Sequence, residues 1–389
     1  MARKLTQRGR IVLLSMMHFF IDSCMGYFAI YLVLASLAPS KAAVIAMIST
    51  FAGNILQPFT GYFTDKVRGK IPLAMGLVLT PLSMSLIGLT KNYGILLSLV
   101  LLGNIGSAIF HPAGAGASGE KSKNIDASFA FFITIGTFGY ALSQPIFSAV
   151  TGKLGLKSSP ILMLPAVGLA VYYIIFSDVR IMGHGEKPNL NTLKELFKNH
   201  LWSVLILFYI MVARTAFVSS VNLFAAKTMH DWGFPRIIYS VASTAFMLSG
   251  ALGILLAGNL SHLIKPRSLI IYSLTLFLPF FILFILFGEN GSTFPALLML
   301  SLAGFIIHCG YGTNIVLGQK LFPEMSSTVS GLLMGFAWAT ASFGPVVCNG
   351  TKHVFKLIEG FPSGLVFMTI FPLSAAIASI FFRVEPGTI

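Results

Sequence analysis

The chain has 389 residues, of which 56% are hydrophobic and only 10% are charged. A soluble domain cannot hide so much apolar surface from water, so the composition excludes a soluble globular protein and predicts an all-α polytopic membrane protein. The formal net charge of +14 would suggest nucleic-acid binding in a soluble protein. Here the basic residues are explained by their positions relative to the membrane, and we expect no nucleic-acid partner.

Twelve apolar segments follow one another, each long enough for a membrane-spanning helix. They lie at residues 11–34, 40–64, 71–90, 93–118, 127–150, 159–177, 201–224, 234–258, 269–287, 294–318, 327–348 and 362–381. The polar connection at 178–200 divides the chain into one six-helix bundle at 1–177 and a second at 201–389. A capping box at Thr192 and Glu195, beside apolar Leu193, Leu196 and Phe197, predicts a short amphipathic helix within this linker.

The two halves also resemble each other. Residues 131–145 align without gaps with residues 331–345, and each stretch contains glycine and ends in proline. Repeated halves of this kind are typical of secondary transporters, which bind their substrate between the halves near the middle of the bilayer. The sequence therefore predicts two pseudo-symmetric bundles.

The distribution of basic residues predicts the orientation. With the N-terminus in the cytoplasm, 17 of the 26 Lys and Arg residues fall in cytoplasmic segments and eight fall on the opposite side. By the positive-inside rule both termini are predicted to be cytoplasmic. The basic start followed by an apolar run resembles a signal peptide, but the run is too long, so we expect a retained first span.

Two charged residues lie deep within apolar segments. Asp22 is in the middle of the first segment, and Arg214 has a comparable position in the seventh. Placing an acid at this depth costs about 2.5–3.5 kcal/mol, which favours a functional role. His18, four residues before Asp22, shares its helix face. We predict that Asp22 couples transport to protons with His18 as its partner, and that Arg214 binds an anionic substrate group or neutralises Asp22.

Other residues are candidate substrate contacts. His111 and His308 lie in the fourth and tenth segments, and Tyr27 and Tyr31 follow Asp22 on the first. Ordinary packing explains the two tyrosines equally well. The histidines show no metal-ligand spacing beyond the single His–Asp pair in the first segment, so we expect neither a metal site nor a cofactor.

The connection after the second segment carries the most specific pattern. Gly61, Asp65, Lys66, Arg68 and Lys70 combine a glycine for close helix approach with an acid and a basic cluster. Charge contacts of this kind hold one conformation and release it in another. We therefore predict that these residues form an inner gate.

At these residues the chain resembles the major facilitator superfamily, whose loop between spans two and three carries glycine, three residues, aspartate and a basic cluster. Within that superfamily it is similar to the fosmidomycin-resistance group of bacterial drug exporters. The resemblance covers most of the first half and rests on His18-x-x-x-Asp22, on Leu56-Gln57-Pro58 and on the 106–112 stretch GSAIFHP. It implies proton-driven antiport of a small amphipathic or anionic solute or drug by a twelve-helix monomer in the bacterial inner membrane.

The residues leave other transport modes open. The protein is alternatively an importer of a nutrient or metal chelate, or a uniporter in which Asp22 and Arg214 form a structural pair. A membrane enzyme would need paired acids or a nucleophile with its base near the interface. The sequence offers neither set, so we do not expect an enzyme.

Overall fold

The regular structure of the chain is helical. The computed structural model describes residues 5–35, 37, 39–66, 69–120, 122–181, 190–239, 241–355 and 361–382. Among these residues no strand occurs, and one isolated antiparallel bridge joins Gly69 to Ile181. The α-helices are α1 (Gln7–Met25), α2 (Tyr27–Leu34), α3 (Pro39–Lys66), α4 (Ile71–Ser85), α5 (Tyr93–Gly119), α6 (Ile125–Leu154), α7 (Leu164–Phe176), α8 (Leu190–Asp231), α9 (Arg236–Tyr239), α10 (Ala242–Asn259), α11 (Pro266–Thr275), α12 (Phe277–Glu289), α13 (Thr293–Leu321), α14 (Ser326–Ser330), α15 (Ala337–Ala341), α16 (Gly344–Gly350), α17 (Phe361–Met368) and α18 (Ile370–Ile380).

Shorter helical turns extend several of these helices. Turns of 3₁₀-helix cover Leu86–Leu89, Leu156–Met163 and Pro323–Met325, and a π-helical stretch covers Gly331–Phe336. Each of the twelve predicted apolar segments is helical over most of its described length. Ten helical stretches of the described chain, from Ile71–Leu89 to Pro362–Ile380, are long and apolar enough to cross a membrane. The two earlier predicted segments correspond to α1 with α2, and to α3. The protein is an all-α polytopic membrane protein, as the composition predicts.

The helix after the central connection is longer than the sequence predicts. α8 runs for 42 residues from Leu190 to Asp231 without interruption. It contains neither proline nor glycine, so nothing in its sequence ends the helix between the linker and the seventh apolar segment. Residues 190–200 therefore continue that helix, instead of forming the separate short helix expected in the linker. Residues 182–189 lie outside the described residues.

The helices pack into two units that differ from the predicted halves in one place. The first unit comprises Met1–Asn189 and Phe322–Ala339, and the second comprises Leu190–Leu321 and Thr340–Ile389. Phe322–Ala339 comes from the second half of the sequence, but α14 packs against α3 of the first unit. A Cβ atom at Gly61 would lie only 2.4 Å from the carbonyl oxygen of Ser327. Glycine at this position is therefore what allows α3 to approach α14 so closely.

In the first unit, side-chain caps fix where the site-bearing helices begin. Thr6 caps α1 by accepting a 3.2 Å hydrogen bond from the backbone N–H of Gly9. Asn92 caps α5 by accepting hydrogen bonds from two backbone N–H groups, at 2.9 and 3.1 Å. These N–H groups would otherwise lack partners at a helix start. The caps thus set the register of the two helices that carry His18, Asp22 and His111.

Each unit has its own apolar interior. In the first unit α1 packs against α6, and α5 packs against both α3 and α4. In the second unit α13 packs against α10, α11 and α12, while α8 packs against α18. The ring of Phe217 on α8 contacts those of Phe277 and Phe281 on α12, with centroids 4.9 and 5.0 Å apart. Arg214 lies on α8 one turn before Phe217.

Candidate functional site

His18 and Asp22 contact each other on α1, as their four-residue spacing predicts. His18 Nε2 lies 3.1 Å from Asp22 Oδ2. The His18 side chain is 3% exposed and that of Asp22 is 17% exposed. The carboxylate is thus partly accessible, while its histidine partner is enclosed by the helices of the first unit.

His111 of α5 completes a group of three that we call the histidine–aspartate cluster: His18, Asp22 and His111. His111 Nε2 lies 3.0 Å from Asp22 Oδ1, and it lies 3.2 Å from His18 Nε2. The two imidazole rings meet edge to face, with centroids 4.9 Å apart. All three residues are candidates from the sequence, but the sequence does not predict that His111 contacts Asp22, because 93 residues separate the two histidines.

Backbone carbonyl groups fix the orientation of both imidazoles. His18 Nδ1 lies 2.9 Å from the carbonyl oxygen of Phe132 on α6. His111 Nδ1 lies 2.9 Å from the carbonyl oxygen of Ser107, one turn earlier on α5. Because a carbonyl oxygen only accepts hydrogen bonds, both contacts favour the tautomer with the proton on Nδ1. The Ser107 hydroxyl also lies within hydrogen-bond distance of His111 Nδ1, at 3.0 Å. In the neutral imidazole the lone pair is then on Nε2, the atom that faces Asp22.

The electrostatic consequence is that the cluster needs a cation. Two Nε2 lone pairs and a carboxylate converge within 3.0–3.2 Å. With both histidines neutral, these atoms would all be acceptors facing one another, which is repulsive at this distance. A shared proton on a ring nitrogen converts such a contact into a charge-assisted hydrogen bond. The arrangement is therefore suited to holding and exchanging positive charge.

The walls of the cluster are aromatic and tightly packed. The Phe132 ring stacks on His18 with a centroid distance of 4.2 Å. A Cβ atom at Gly136 would lie 2.4 Å from His18 Cε1, so this α6 glycine makes room for the imidazole. Low polarity around charged groups strengthens their mutual interactions. Neither Phe132 nor Gly136 is singled out by the sequence, because their role depends on how α6 packs against α1.

Arg214 lies in the second unit and is fully buried. Its Nη2 donates a 3.2 Å hydrogen bond to Ser273 Oγ on α11. Its Nε and Nη1 have no hydrogen-bond partner among the described residues. A buried guanidinium with two of its three nitrogens lacking acceptors is costly unless an anion joins it. Asp22 belongs to the first unit, so an interaction between Asp22 and Arg214 stays a prediction.

His308 is also buried in the second unit and does not belong to the histidine–aspartate cluster. Its Nδ1 donates a 2.7 Å hydrogen bond to the carbonyl oxygen of Gly304 on α13. Its ring meets that of Phe246 on α10, with centroids 5.5 Å apart. The local helix carbonyl and this aromatic contact give His308 a packed position of its own.

Tyr27 and Tyr31 are buried in the apolar core of the first unit. Tyr27 is 2% exposed and Tyr31 is fully buried, and both pack against Phe147 of α6. The Tyr31 hydroxyl donates a 2.5 Å hydrogen bond to the carbonyl oxygen of Thr90. Of the two roles that the sequence leaves open, these contacts favour packing over substrate contact.

Asp65 holds the start of α14. Its Oδ1 accepts a hydrogen bond from the backbone N–H of Ser327 at 3.1 Å. Its Oδ2 accepts from the backbone N–H and the hydroxyl of Thr328, at 2.8 and 2.6 Å. Burial raises the pKa of Asp65 above its usual value, and the hydrogen bonds from Thr328 and Ser327 act in the opposite direction. The sequence places Asp65 in the predicted inner gate but does not predict that its partners are Ser327 and Thr328.

The described basic residues of the predicted inner gate, Lys66 and Lys70, make other contacts. Lys70 Nζ donates hydrogen bonds to the carbonyl oxygens of Ile174 and Tyr173, at 2.8 and 3.2 Å. A cation there suits the C-terminal end of α7, where carbonyl groups lack helical partners. Lys66 is exposed, with Nζ 4.0 Å from the ring centroid of Tyr62. Arg68 lies outside the described residues.

Comparison with known proteins gives a consistent result. Residues 11–345 match the sequence profile of the Major Facilitator Superfamily. The fosmidomycin resistance protein of Escherichia coli (strain K12) is 24% identical over 320 residues, covering 80% of this chain and 77% of that protein. The uncharacterized MFS-type transporter YfnC of Bacillus subtilis (strain 168) is 25% identical over 328 residues, with the same coverage. The solved structure of the E. coli fucose:proton symporter FucP superimposes with a TM-score of 0.73, at 16% identity, over 96% of this chain and 98% of that one.

Proposed function

Because the chain belongs to the Major Facilitator Superfamily, we propose that it is a proton-coupled secondary active transporter that works by alternating access. It is a transporter and not an enzyme. The observation that carries the proposal is the histidine–aspartate cluster, in which two Nε2 atoms and a carboxylate converge within 3.0–3.2 Å. A buried group of acceptors that requires positive charge, on a helix crossing the bilayer, is suited to binding and releasing a proton.

The proton step follows from this geometry. Asp22 lies between two histidines, so a proton in the cluster bridges a ring nitrogen and a carboxylate oxygen. α1 carries His18 and Asp22, α5 carries His111, and α6 supplies the Phe132 carbonyl. A shift of α5 relative to α1 would lengthen the contact between His111 and Asp22 and so change the affinity for the proton. Helix movement during alternating access would in this way be coupled to proton binding and release.

Arg214 is the proposed substrate anchor. Its Nε and Nη1 carry N–H groups that lack an acceptor among the described residues, and such groups form charge-assisted hydrogen bonds to a carboxylate or a phosphonate. An anionic solute would thus compensate a charge that is otherwise buried without an acceptor at two of its nitrogens. The similar protein of Escherichia coli is named for resistance to fosmidomycin. We therefore propose that this chain exports a small anionic or amphipathic solute in exchange for protons, with His111 and His308 as further candidate contacts.

Asp65 and Gly61 form the proposed inner gate, with Lys66, Arg68 and Lys70 as its basic flank. Support comes from the three hydrogen bonds between the Asp65 carboxylate and the start of α14. α14 comes from the second half of the sequence and α3 from the first. These bonds would therefore stabilise one conformation of the transporter, and breaking them would allow the other. We further propose a monomer in the bacterial inner membrane, with both termini in the cytoplasm, in line with the positive-inside distribution of Lys and Arg.

The test uses purified protein in proteoliposomes loaded with fosmidomycin, with the outer medium made acidic relative to the lumen. We expect the inward proton gradient to accelerate fosmidomycin efflux from wild-type vesicles. In Asp22→Asn the efflux rate should fall to that measured without a gradient. Asp231→Asn removes an exposed acid that pairs with His230, at 3.3 Å, and should leave the gradient effect intact.

Each alternative gives a different result in the same assay. Gradient-driven efflux at the wild-type rate in Asp22→Asn would show that Asp22 does not couple transport to protons. Efflux that ignores the gradient in the wild type indicates a uniporter. Efflux that is slower with the inward proton gradient than without it indicates an importer of the symport type, which moves solute and protons in the same direction.

A further inference from the structure

We propose that the histidine–aspartate cluster is also a binding site for one divalent transition-metal ion of the class of Zn²⁺, Co²⁺ or Ni²⁺. The sequence predicts no metal site, because only His18 and Asp22 have a ligand-like spacing. The tertiary structure adds His111 from another helix. His18, Asp22 and His111 then present three ligand atoms that all lie within 4.8 Å of one another.

The distances between the ligand atoms fit a coordination sphere. The two Nε2 atoms are 3.2 Å apart, and they lie 3.1 and 3.0 Å from the two carboxylate oxygens of Asp22. Bonds of roughly 2.0–2.1 Å in tetrahedral geometry separate neighbouring ligand atoms by about 3.3–3.4 Å. The three ligand atoms are thus close enough for small side-chain rotations to bring them within coordination distance of one ion.

The surroundings of the histidines are those of metal ligands. Metal-binding histidines usually donate their second ring N–H to a carbonyl or carboxylate, which fixes the tautomer and aims the lone pair at the metal. Both histidines of the cluster do this, His18 through the Phe132 carbonyl and His111 through the Ser107 carbonyl, each at 2.9 Å. Two independent histidines are thus held with Nε2 lone pairs directed at the same carboxylate. Packing alone does not require that convergence.

The donor set selects the class of ion. Two imidazole nitrogens and one carboxylate suit zinc and its neighbours in the first transition row, whereas Mg²⁺ and Ca²⁺ prefer sites made of oxygen. Three protein ligands leave a fourth position open for water or another small ligand, whereas structural zinc sites are closed by four protein ligands. The side chains of Asp22 and His111 are 17% and 13% exposed, so the open position lies on their side of the cluster.

A bound ion would join α1 to α5, because His18 and Asp22 come from α1 and His111 comes from α5. It would therefore stabilise the arrangement in which the three side chains meet. The inference goes beyond the proposed function and does not depend on the solute or on the direction of transport.

The test is a Co²⁺ titration of the full-length protein in detergent, after removal of any affinity tag, followed by visible absorption and calorimetry. We expect one Co²⁺ per chain, the absorption bands of a tetrahedral N/O site, and a higher Tm with the ion. His111→Ala and Asp22→Asn should each bind more than about tenfold more weakly. Two matched controls, His308→Ala and His230→Ala, should bind like wild type, because His308 lies outside the cluster and His230 belongs to an exposed pair with Asp231.

Four results would overturn the inference, and the first three are no Co²⁺ binding by the wild type, unchanged binding in His111→Ala, and an equal loss in His308→Ala. Loss in His230→Ala alone would assign the ion to the exposed pair and would likewise refute it. If His111→Ala does not give a monodisperse protein, His111→Gln replaces it, since glutamine keeps the size and polarity of the side chain. Co²⁺ binding combined with gradient-independent transport would refute the proposed coupling and leave this inference standing.

Discussion

Replacement of Asp65 by alanine tests the contact between α3 and α14 most directly. The Asp65 side chain is buried at 3% exposure and accepts three hydrogen bonds from Ser327 and Thr328. Asp65→Ala removes all three and leaves two backbone N–H groups of α14 without an acceptor. Losing a helix cap and hydrogen bonds to a charged group should cost about 2–4 kcal/mol locally.

That cost predicts the size of the effect on hydrogen exchange. Backbone amides exchange through local opening, and the free energy of opening falls by the stabilisation that is lost. A loss of about 2–4 kcal/mol corresponds to roughly 30- to 700-fold faster exchange. The measurement is hydrogen–deuterium exchange with mass spectrometry on peptides that cover Ser326–Ser330. Asp65→Asn, which keeps one acceptor oxygen, should give an intermediate rate.

A control separates this local effect from general loosening of the first unit. Asp178 Oδ1 accepts a 3.0 Å hydrogen bond from the backbone N–H of Leu5. Asp178→Ala should therefore accelerate exchange near Leu5 and leave Ser326–Ser330 at the wild-type rate. Unchanged exchange across Ser326–Ser330 in folded Asp65→Ala would show that the carboxylate does not hold α14, and the proposed inner gate would fail with it.

Three further substitutions test other contacts. Gly61→Ala should lower the Tm through an overpacking cost of about 1–3 kcal/mol, because its Cβ would lie 2.4 Å from the Ser327 carbonyl oxygen. The control Gly152→Ala should keep the wild-type Tm, because its Cβ meets nothing within 4 Å. Equal Tm values for the two variants would contradict the close approach of α3 to α14. Gly136→Ala should displace the His18 imidazole and weaken Co²⁺ binding in the same titration. The control Gly168→Ala should keep wild-type binding, because its added Cβ would meet nothing within 4 Å. Arg214→Met should stabilise the protein by roughly 1–4 kcal/mol, because a buried charge is removed, and it should abolish stabilisation by fosmidomycin in a thermal-shift assay. The control Arg267→Met, which changes an exposed arginine that donates to the Ile380 carbonyl, should have neither effect. Retained stabilisation by fosmidomycin in Arg214→Met would exclude Arg214 as the substrate anchor.

The sequence alone determines the class of protein and the positions of its helices. Both follow from the length and order of apolar segments, which are local properties of the chain. The sequence also identifies Asp22 and Arg214 as unusual, because a charge within an apolar run is visible without a fold. The contact between His18 and Asp22 is predictable for the same reason, since helix geometry brings residues four apart together.

Only the tertiary structure decides which distant groups meet. His111 joins Asp22, and the Phe132 carbonyl fixes His18, because α5 and α6 pack against α1, and no periodicity within one helix encodes that packing. Asp65 binds Ser327 and Thr328, which are 262 and 263 residues away in the chain. Tyr27 and Tyr31 look like candidate contacts in sequence, yet their neighbours place them in the core. A helix can be predicted from its own residues, but the direction that each side chain faces, and what it faces, depends on the helices that surround it.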